Sequence, residues 1–94
     1  MTVYVDDFNV PFHNMIMCHM IADTVEELND MARKIDIWQG WLQGPAKFPH
    51  YDVTLSKKKL AIKHGAKAIT SRELVAIRMK IIKNGLKILS QKEP

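Results

Sequence analysis

Hydrophobic residues fill positions 15–22 almost without interruption, and one histidine stands within this run, Met-Ile-Met-Cys-His-Met-Ile-Ala. Side chains alternate between the faces of a β-strand, so a strand here places Met17, His19 and Ile21 on one face and Cys18 and Met20 on the other. Neither face is polar enough to contact water along its whole length. The pattern therefore predicts a strand that is buried on both sides, and a buried imidazole needs hydrogen-bond partners.

Shorter β-prone segments lie on either side of this run. Residues 2–5, Thr-Val-Tyr-Val, predict a strand that ends at Asp6-Asp7, because aspartate is disfavoured in strands. Residues 50–55 and 66–69 predict two further short strands. The segment before the central run contains proline and asparagine, which are typical of a connector, and we expect its two aromatic residues, Phe8 and Phe12, to anchor it.

A capping box predicts the first helix. Thr24 is followed three residues later by Glu27 and then by apolar residues at helical spacing, which predicts a helix over residues 24–35. The segment after it, up to Pro49, is interrupted by glycine and proline and predicts a partly ordered loop. Its two tryptophans, Trp38 and Trp41, are expected to close a core, although an aromatic ring can also stack on a ligand.

Two more helices follow in the basic half of the chain. Ser56 is suited to cap a helix over residues 57–64, and a Thr-x-x-Glu capping box opens a helix over residues 71–84. Each segment is followed by a glycine, Gly65 or Gly85, which suits a helix end. The apolar residues of the last helix cover more than one stripe, so more than one neighbour must bury them. A homo-oligomer is therefore expected.

The order of these elements predicts the α/β class. We expect a small sheet of three or four strands, mainly parallel and covered by about three helices. A chain of 94 residues has material for a single core, so the sequence predicts one domain. The polar tail, residues 89–94, is expected to fray.

Charge is divided unevenly along the chain. Residues 1–55 hold three Lys or Arg against eight Asp or Glu, whereas residues 56–94 hold eleven against two. The simpler interpretation is that the halves attract each other within the fold; the alternative is that the basic half offers a surface to an anionic partner. One side of the last helix groups Arg72, Lys80, Lys83 and Lys87. A non-enzymatic module that binds nucleic acid or an acidic protein is therefore the second functional hypothesis.

Composition narrows the class of protein further. A content of 47% hydrophobic and 26% charged residues is that of a folded domain and excludes disordered and collagen-like chains. No apolar run reaches the roughly 18–20 residues of a bilayer span, and no export signal is recognised, so we expect a cytoplasmic protein without a membrane partner. Cys18 is interpreted as a small buried hydrophobe. No phosphate-loop, zinc-ligand or serine-nucleophile motif is present.

Three polar clusters lie where strands end or helices begin, which is where open α/β sheets bind ligands. They are Asp6-Asp7, His19 with Asp23, and His50-x-Asp52 followed by Ser56-Lys57. At a spacing of two, His50 and Asp52 share one face of a strand. Each cluster also has a structural interpretation, since aspartates end strands and cap helices and histidines satisfy core carbonyls.

These residue types suit chemistry on a phosphorylated compound. Carboxylates and imidazoles can hold a divalent cation or transfer protons, and a lysine at a helix start can hold phosphate. The sequence thus assigns Asp6, Asp7 and Asp52 to a Mg²⁺ or Mn²⁺ ion, His19 and His50 to catalysis, and Asp23, Trp41, Ser56 and Lys57 to ligand binding. The leading hypothesis is a protein that binds a phosphorylated small molecule, a nucleotide in the first instance, and hydrolyses it with the metal.

Three motifs, in order, resemble one known family. They are Val3-Tyr4-Val5-Asp6-Asp7, Met17-Cys18-His19-Met20-Ile21-Ala22-Asp23, and His50-Tyr51-Asp52 followed by Leu55-Ser56-Lys57. Together they resemble the DUF4031 family, short proteins of bacteria and their phages. The resemblance spans residues 2–70, and the chain departs from it by the inserted residues 45–49. The resemblance implies no reaction, but it indicates that the polar residues of these motifs are a signature of the family. If a phage encodes the chain, the expected location is the host cytoplasm.

Overall fold

A long antiparallel hairpin forms the centre of the fold. The computed structural model describes residues 2–44 and 48–92, with side chains described up to residue 81. Strands β1 (Val3–Val5) and β2 (Val10–Phe12) both pair antiparallel with β3 (Met15–Ala22). Between β2 and β3, His13 and Asn14 have φ of 49° and 62°, as a type I′ turn requires. The predicted central strand is confirmed, whereas the predicted connector contains a strand.

Strands at both edges complete a mixed sheet. Strand β4 (Tyr51–Thr54) pairs antiparallel with β3, and β5 (Lys67–Ala68) pairs parallel with β1. Within the described ranges the sheet has five strands, and one of its four strand pairs is parallel. The predicted α/β class is confirmed, but the sheet is not mainly parallel. The reason is that a tight turn joins β2 to β3, whereas parallel neighbours need a long crossover.

The helices begin where side chains cap them. They are α1 (Val25–Lys34), α2 (Leu55–Lys63) and α3 (Ser71–Lys92), with a short 3₁₀ turn at Gln39–Trp41. The Thr24 hydroxyl accepts the Glu27 N–H at 3.2 Å, and Thr70 and Glu73 cap each other's N–H groups at 3.1 Å. Both predicted capping boxes are therefore confirmed. Among the described residues, no helix combines the length and the hydropathy of a membrane span.

Two predicted helix boundaries are wrong. Thr54, not Ser56, caps α2 by accepting the Lys57 N–H at 3.3 Å. Helix α3 continues through Gly85 to Lys92, because an interior glycine costs about 1 kcal/mol relative to alanine but keeps its helical hydrogen bond. Some predictions fall outside the described part of the chain. They concern the side chains of Lys83 and Lys87, the inserted residues 45–47, and the end of the predicted tail, residues 93–94.

The two faces of the sheet are covered differently. Helices α1 and α2 pack on one face, and this core contains Val5, Cys18, Met20, Leu28, Met31, Tyr51, Val53 and Ala61. On the other face, Leu74 of α3 packs with Ile21 and Phe48. This second cluster covers only the C-terminal end of β3, since Met15 at the opposite end is 45% exposed. The prediction that both faces of β3 are fully buried therefore fails for its N-terminal half, which leaves an open stretch of sheet.

The four aromatic residues expected to anchor loops or close the core are exposed. Trp38 and Trp41 are 68% and 62% exposed and contact each other edge to face, at 6.3 Å between ring centroids. Phe8 and Phe12 are also exposed. The residues that flank the tryptophans, Ile37 and Leu42, pack on the core instead. Of the two rings, that of Trp41 lies at the rim of the open stretch.

Tyr51 makes stability sensitive to alkaline pH. It is fully buried, and its hydroxyl donates to Asn29 Oδ1 at 2.7 Å. Burial raises the pKa of this phenol above its usual 10.0. When the pKa of a group is higher in the folded state, the group's contribution to stability is fully present at pH values below its pKa in the unfolded state. This contribution is lost as pH rises above that value.

We therefore expect the free energy of unfolding to fall as pH rises above about 10. Tyr51→Phe should start about 1 kcal/mol less stable because it lacks one hydrogen bond, and its stability should then decline less steeply. Urea unfolding at a series of alkaline pH values measures both effects. Parallel pH dependences of the two proteins would contradict this role of Tyr51. Burial also raises the pKa of Tyr4. Because Tyr4 is present in both proteins, its effect does not contribute to the difference between them.

Candidate functional site

The site begins where the hairpin is interrupted. Val5 pairs with Met20 and Val10 pairs with Met17, so residues 6–9 lie opposite Cys18 and His19 alone. A backbone bond from the Asp6 N–H to the His19 carbonyl crosses this gap at 3.1 Å. Side chains add two further contacts: the Asp6 carboxylate accepts from His19, and the Cys18 thiol donates to Asn9 Oδ1 at 3.2 Å. Burial raises the pKa of this thiol, which keeps the proton that the bond needs.

Asp6 fixes the position and the tautomer of His19. The carboxylate is fully buried; Oδ1 accepts the backbone N–H of His19 at 2.8 Å, and Oδ2 lies 2.9 Å from Nδ1 of the ring. An ionised carboxylate only accepts, so Nδ1 must donate, and in the neutral ring Nε2 is left without a proton. The imidazole is 32% exposed. The pair is thus a fixed histidine with one nitrogen available to a ligand.

A second carboxylate and a second imidazole lie on the other side of His19. Asp52 is the direct neighbour of His19 across β3 and β4. Asp6, which directly follows β1, contacts His19 from the other side, so Asp6, His19 and Asp52 form a row. Asp52 Oδ1 lies 4.0 Å from Nε2 of both His19 and His50, and the two rings are 5.9 Å apart. Gln43 Nε2 donates to Asp52 Oδ2 at 2.8 Å. The carboxylate therefore stands between two imidazole nitrogens, beyond direct hydrogen-bonding distance of either.

Helix α3 adds positive charge to one side of this row. A cavity of about 510 Å³ lies between the sheet and α3; Asp6, His19, His50, Ser71, Arg72 and Arg78 contribute its polar lining. The Arg78 guanidinium stacks over the Phe48 ring at 4.7 Å from its centroid, which restricts both groups. Asp7 Oδ1 accepts the Ser71 N–H at 2.7 Å. Asp7 thereby holds the start of α3 against the interrupted hairpin.

The Phe48 backbone also positions the second imidazole. Its carbonyl oxygen lies 3.1 Å from His50 Nδ1, so this nitrogen donates and Nε2 faces Asp52. Gly44 has φ of +60°, and a Cβ on it would lie 2.8 Å from the same carbonyl. Both the left-handed backbone and the close approach require glycine here.

A comparison with models of known protein families identifies the family of this chain. The model of DUF4031, described as a protein of unknown function, matches residues 3–81. This chain belongs to the DUF4031 family. Neither the curated proteins nor the solved structures gave a match.

The DUF4031 match spans everything that builds the site, from β1 to the part of α3 that carries Arg72 and Arg78. It extends past residue 70, where the resemblance seen in the sequence ended. Four of the predicted site residues come together in this range: Asp6, His19, His50 and Asp52. Half of the eight polar residues that mark the DUF4031 motifs in the sequence therefore lie in one spatial cluster.

Other predicted site residues lie elsewhere in the fold. Asp23 Oδ2 accepts the Thr2 N–H at 2.9 Å, at the opposite end of β1 from Asp6. Lys57 Nζ donates to the carbonyl of Ile35 at 2.7 Å, at the C-terminus of α1. Ser56 contacts Thr54 at 3.1 Å. Asp23, Ser56 and Lys57 thus fasten strand and helix ends, whereas Trp41 lies by a second, smaller cavity next to His19.

The carboxylates expected to bind a metal do not meet. Asp6 contacts His19, Asp7 contacts Ser71 and Asp52 contacts Gln43. Within the described ranges, no three His, Cys, Asp or Glu side chains are placed to hold one ion. The three carboxylates therefore do not form the shared Mg²⁺ or Mn²⁺ site that the sequence predicted, and binding of either ion stays a prediction.

The sequence did not single out Arg78, Phe48 or Gln43. Arg78 follows the buried Leu74 by four residues, which places it one helical turn further on the sheet-facing side. This spacing was the available signal for Arg78. Phe48 and Gln43 lie in a loop without periodicity, so their positions depend on the bridge between Gln43 and His50. Arg72, which the sequence placed on the basic side of the last helix, is exposed and also lines the cavity.

Proposed function

We propose that this DUF4031 chain binds a phosphorylated small molecule, a nucleotide in the first instance, in the larger cavity, where His19 transfers protons. The main support is the Asp6–His19 pair, in which a buried carboxylate fixes an imidazole at the wall of a cavity that two arginines also line. The cavity of about 510 Å³ is within the usual size range of small-molecule sites.

The arginines support an anionic ligand. Arg72 and Arg78 line the cavity from α3, and Ser71 adds a hydroxyl next to them. A guanidinium group presents a planar fork of N–H donors that matches two phosphate oxygens. Stacking on Phe48 gives the Arg78 fork one orientation, which reduces the entropy lost on binding. Phosphate is thus held on the α3 side of His19.

The two histidines support proton transfer. Nε2 of neutral His19 can take a proton from water, and Asp6 stabilises the imidazolium that results. In hydrolysis of a phosphoester, this water oxygen bonds to phosphorus, the phosphorus–oxygen ester bond breaks, and the leaving oxygen takes a proton from protonated His50. His19 and His50 lie close enough for one ligand to contact both, with 5.9 Å between ring centroids. The predicted metal takes no part in these steps.

Arg78→Ala tests the binding site. Loss of a charged hydrogen-bond donor should weaken binding of inorganic phosphate and nucleoside monophosphates about tenfold to a hundredfold, measured by titration calorimetry. Lys80→Ala is the matched control, because it removes the same charge from the same helix at an exposed residue outside the cavity lining. We expect its affinity to stay within about twofold of the parent chain. Equal losses in both variants, or no binding at millimolar concentrations, would refute the proposal.

The alternative role, a nucleic-acid or acidic-protein module, makes a different prediction. Binding through the basic side of α3 should weaken steeply with rising salt and should be reduced by Lys80→Ala more than by Arg78→Ala, because Arg78 lies on a different side of the helix. The side chains of Val75 and Met79 are exposed on this helix, and self-association through them stays a prediction that light scattering can check. A gel shift that survives Arg78→Ala would favour this alternative.

A further inference from the structure

A second cavity adjoins the proposed phosphate site. It encloses about 390 Å³ over the open end of the sheet, and its walls include Phe12, Met15, Met17, Trp41, Gln43 and Asp52. His19 lines this cavity as well as the larger one. Among the described residues, His19 is the one side chain common to both linings. The two spaces therefore meet at the histidine that Asp6 fixes.

We infer that the smaller cavity binds the nucleobase of the nucleotide and that guanine is the preferred base. This inference rests on the proposed function, since it assigns the second half of the same ligand. The phosphate lies by Arg72 and Arg78, the base lies by Trp41, and the sugar that links them passes His19.

The apolar wall suits a flat ring. Trp41 is 62% exposed, so its indole is accessible to a ligand, and Met15 and Met17 of β3 line the same cavity. Thioether groups are polarisable and adapt to aromatic partners. Stacking of a base on an aromatic side chain contributes about tenfold to a hundredfold in affinity. Exposed apolar patches of this kind are typical of interaction sites.

The polar wall selects among bases. Gln43 donates its amide hydrogen to Asp52 Oδ2, which leaves the Gln43 carbonyl oxygen and the second Asp52 oxygen as acceptors. A base that satisfies both must carry neighbouring donors on one edge. Guanine has N1–H and the N2 amino group side by side, whereas adenine and cytosine each have a single amino group and uracil a single N–H. The acceptor pair therefore favours guanine.

Calorimetric titration of the full chain with GMP, guanosine and inorganic phosphate tests this assignment. We expect GMP to bind at least about tenfold more tightly than phosphate and more tightly than AMP, CMP or UMP. Trp41→Ala should weaken GMP binding about tenfold and leave phosphate binding unchanged. Trp38→Ala is the control: Trp38 is similarly exposed in the same loop and contacts Trp41, but it is not part of the cavity lining. Phosphate binding should be retained, and GMP binding should fall less than in Trp41→Ala.

The polar contacts have their own variant. Asp52→Asn replaces an acceptor by a side chain that also donates, so the preference for GMP over AMP should fall about tenfold. Circular dichroism and thermal unfolding of each variant establish that it is folded. A Trp41→Ala variant that is destabilised is replaced by Trp41→Phe, for which the loss should be smaller but still confined to GMP.

Each result separates the two proposals. If phosphate binds through Arg78 but GMP binds no more tightly, or if Trp41→Ala weakens phosphate and GMP equally, the base subsite is refuted and the phosphate site stands. A preference for another base overturns the guanine assignment. If neither phosphate nor any nucleotide binds, the proposed function itself fails.

Discussion

Replacement of Asp6 by alanine is expected to lower the free energy of unfolding by about 3 kcal/mol and to abolish ligand binding. The carboxylate is fully buried and accepts both the backbone N–H and the ring Nδ1 of His19. Both donors lose their partner in the variant, whereas the Asp6 N–H bond to the His19 carbonyl and the Cys18–Asn9 bond still hold residues 6–9 beside β3. Urea unfolding measures the stability, and calorimetry with phosphate measures the binding.

Two control variants separate the structural role of Asp6 from its role in proton transfer. Asp7→Ala removes a neighbouring carboxylate that accepts the Ser71 N–H, so it should cost only about 1 kcal/mol, as other helix caps do. Asp6→Asn keeps an acceptor for the backbone N–H but presents an amide N–H to Nδ1. It should fold with the proton moved to Nε2 of His19, which nitrogen NMR of the ring detects. An unchanged tautomer in Asp6→Asn, or an Asp6→Ala variant as stable as Asp7→Ala, would contradict this role.

Met20→Ala should destabilise the fold by about 3 kcal/mol. Met20 is fully buried at the centre of β3, where it pairs with Val5 on one side and Tyr51 on the other. Helices α1 and α2 pack over this face of the sheet, so truncation leaves a cavity that no single element can close. Chemical denaturation should show a lower midpoint with an unchanged slope.

Met79→Ala is the matched control for this prediction. Met79 lies on α3 and is 62% exposed, so the same truncation removes little buried surface, and alanine is the better helix former. Its stability should stay within about 0.5 kcal/mol of the parent chain. A comparable loss in Met79→Ala would mean that this side of α3 is buried in solution, as the predicted homo-oligomer requires.

Local sequence signals were sufficient for the elements that local physics controls. The central strand, both capping boxes and the α/β class followed from apolar periodicity and from Thr–Glu spacing, which act over a few residues. The convergence of His50 and Asp52 followed from strand alternation alone. The boundaries were less certain where two residues compete, as Thr54 and Ser56 do for the α2 cap.

Strand direction and the interruption of the hairpin needed the tertiary structure. Pro11 made residues 8–14 resemble a connector, yet β2 forms at the sheet edge, where proline is tolerated because its missing N–H removes no ladder bond. Residues 6–9 then loop out, which brings Asp6 to His19 and moves Asp7 to α3. No pairing rule read along the chain predicts which of two adjacent aspartates reaches the histidine.

The sequence alone determined that His19 lies within an apolar strand and that acidic and imidazole groups flank it, because burial and alternation are properties of neighbours in the chain. Only the tertiary structure decided that Asp23, Ser56 and Lys57 fasten the ends of elements while Arg72 and Arg78 line the cavity. The physical reason is that α3 covers one end of the sheet face and leaves the other open. That packing geometry depends on contacts between residues far apart in the chain, which a local pattern does not encode.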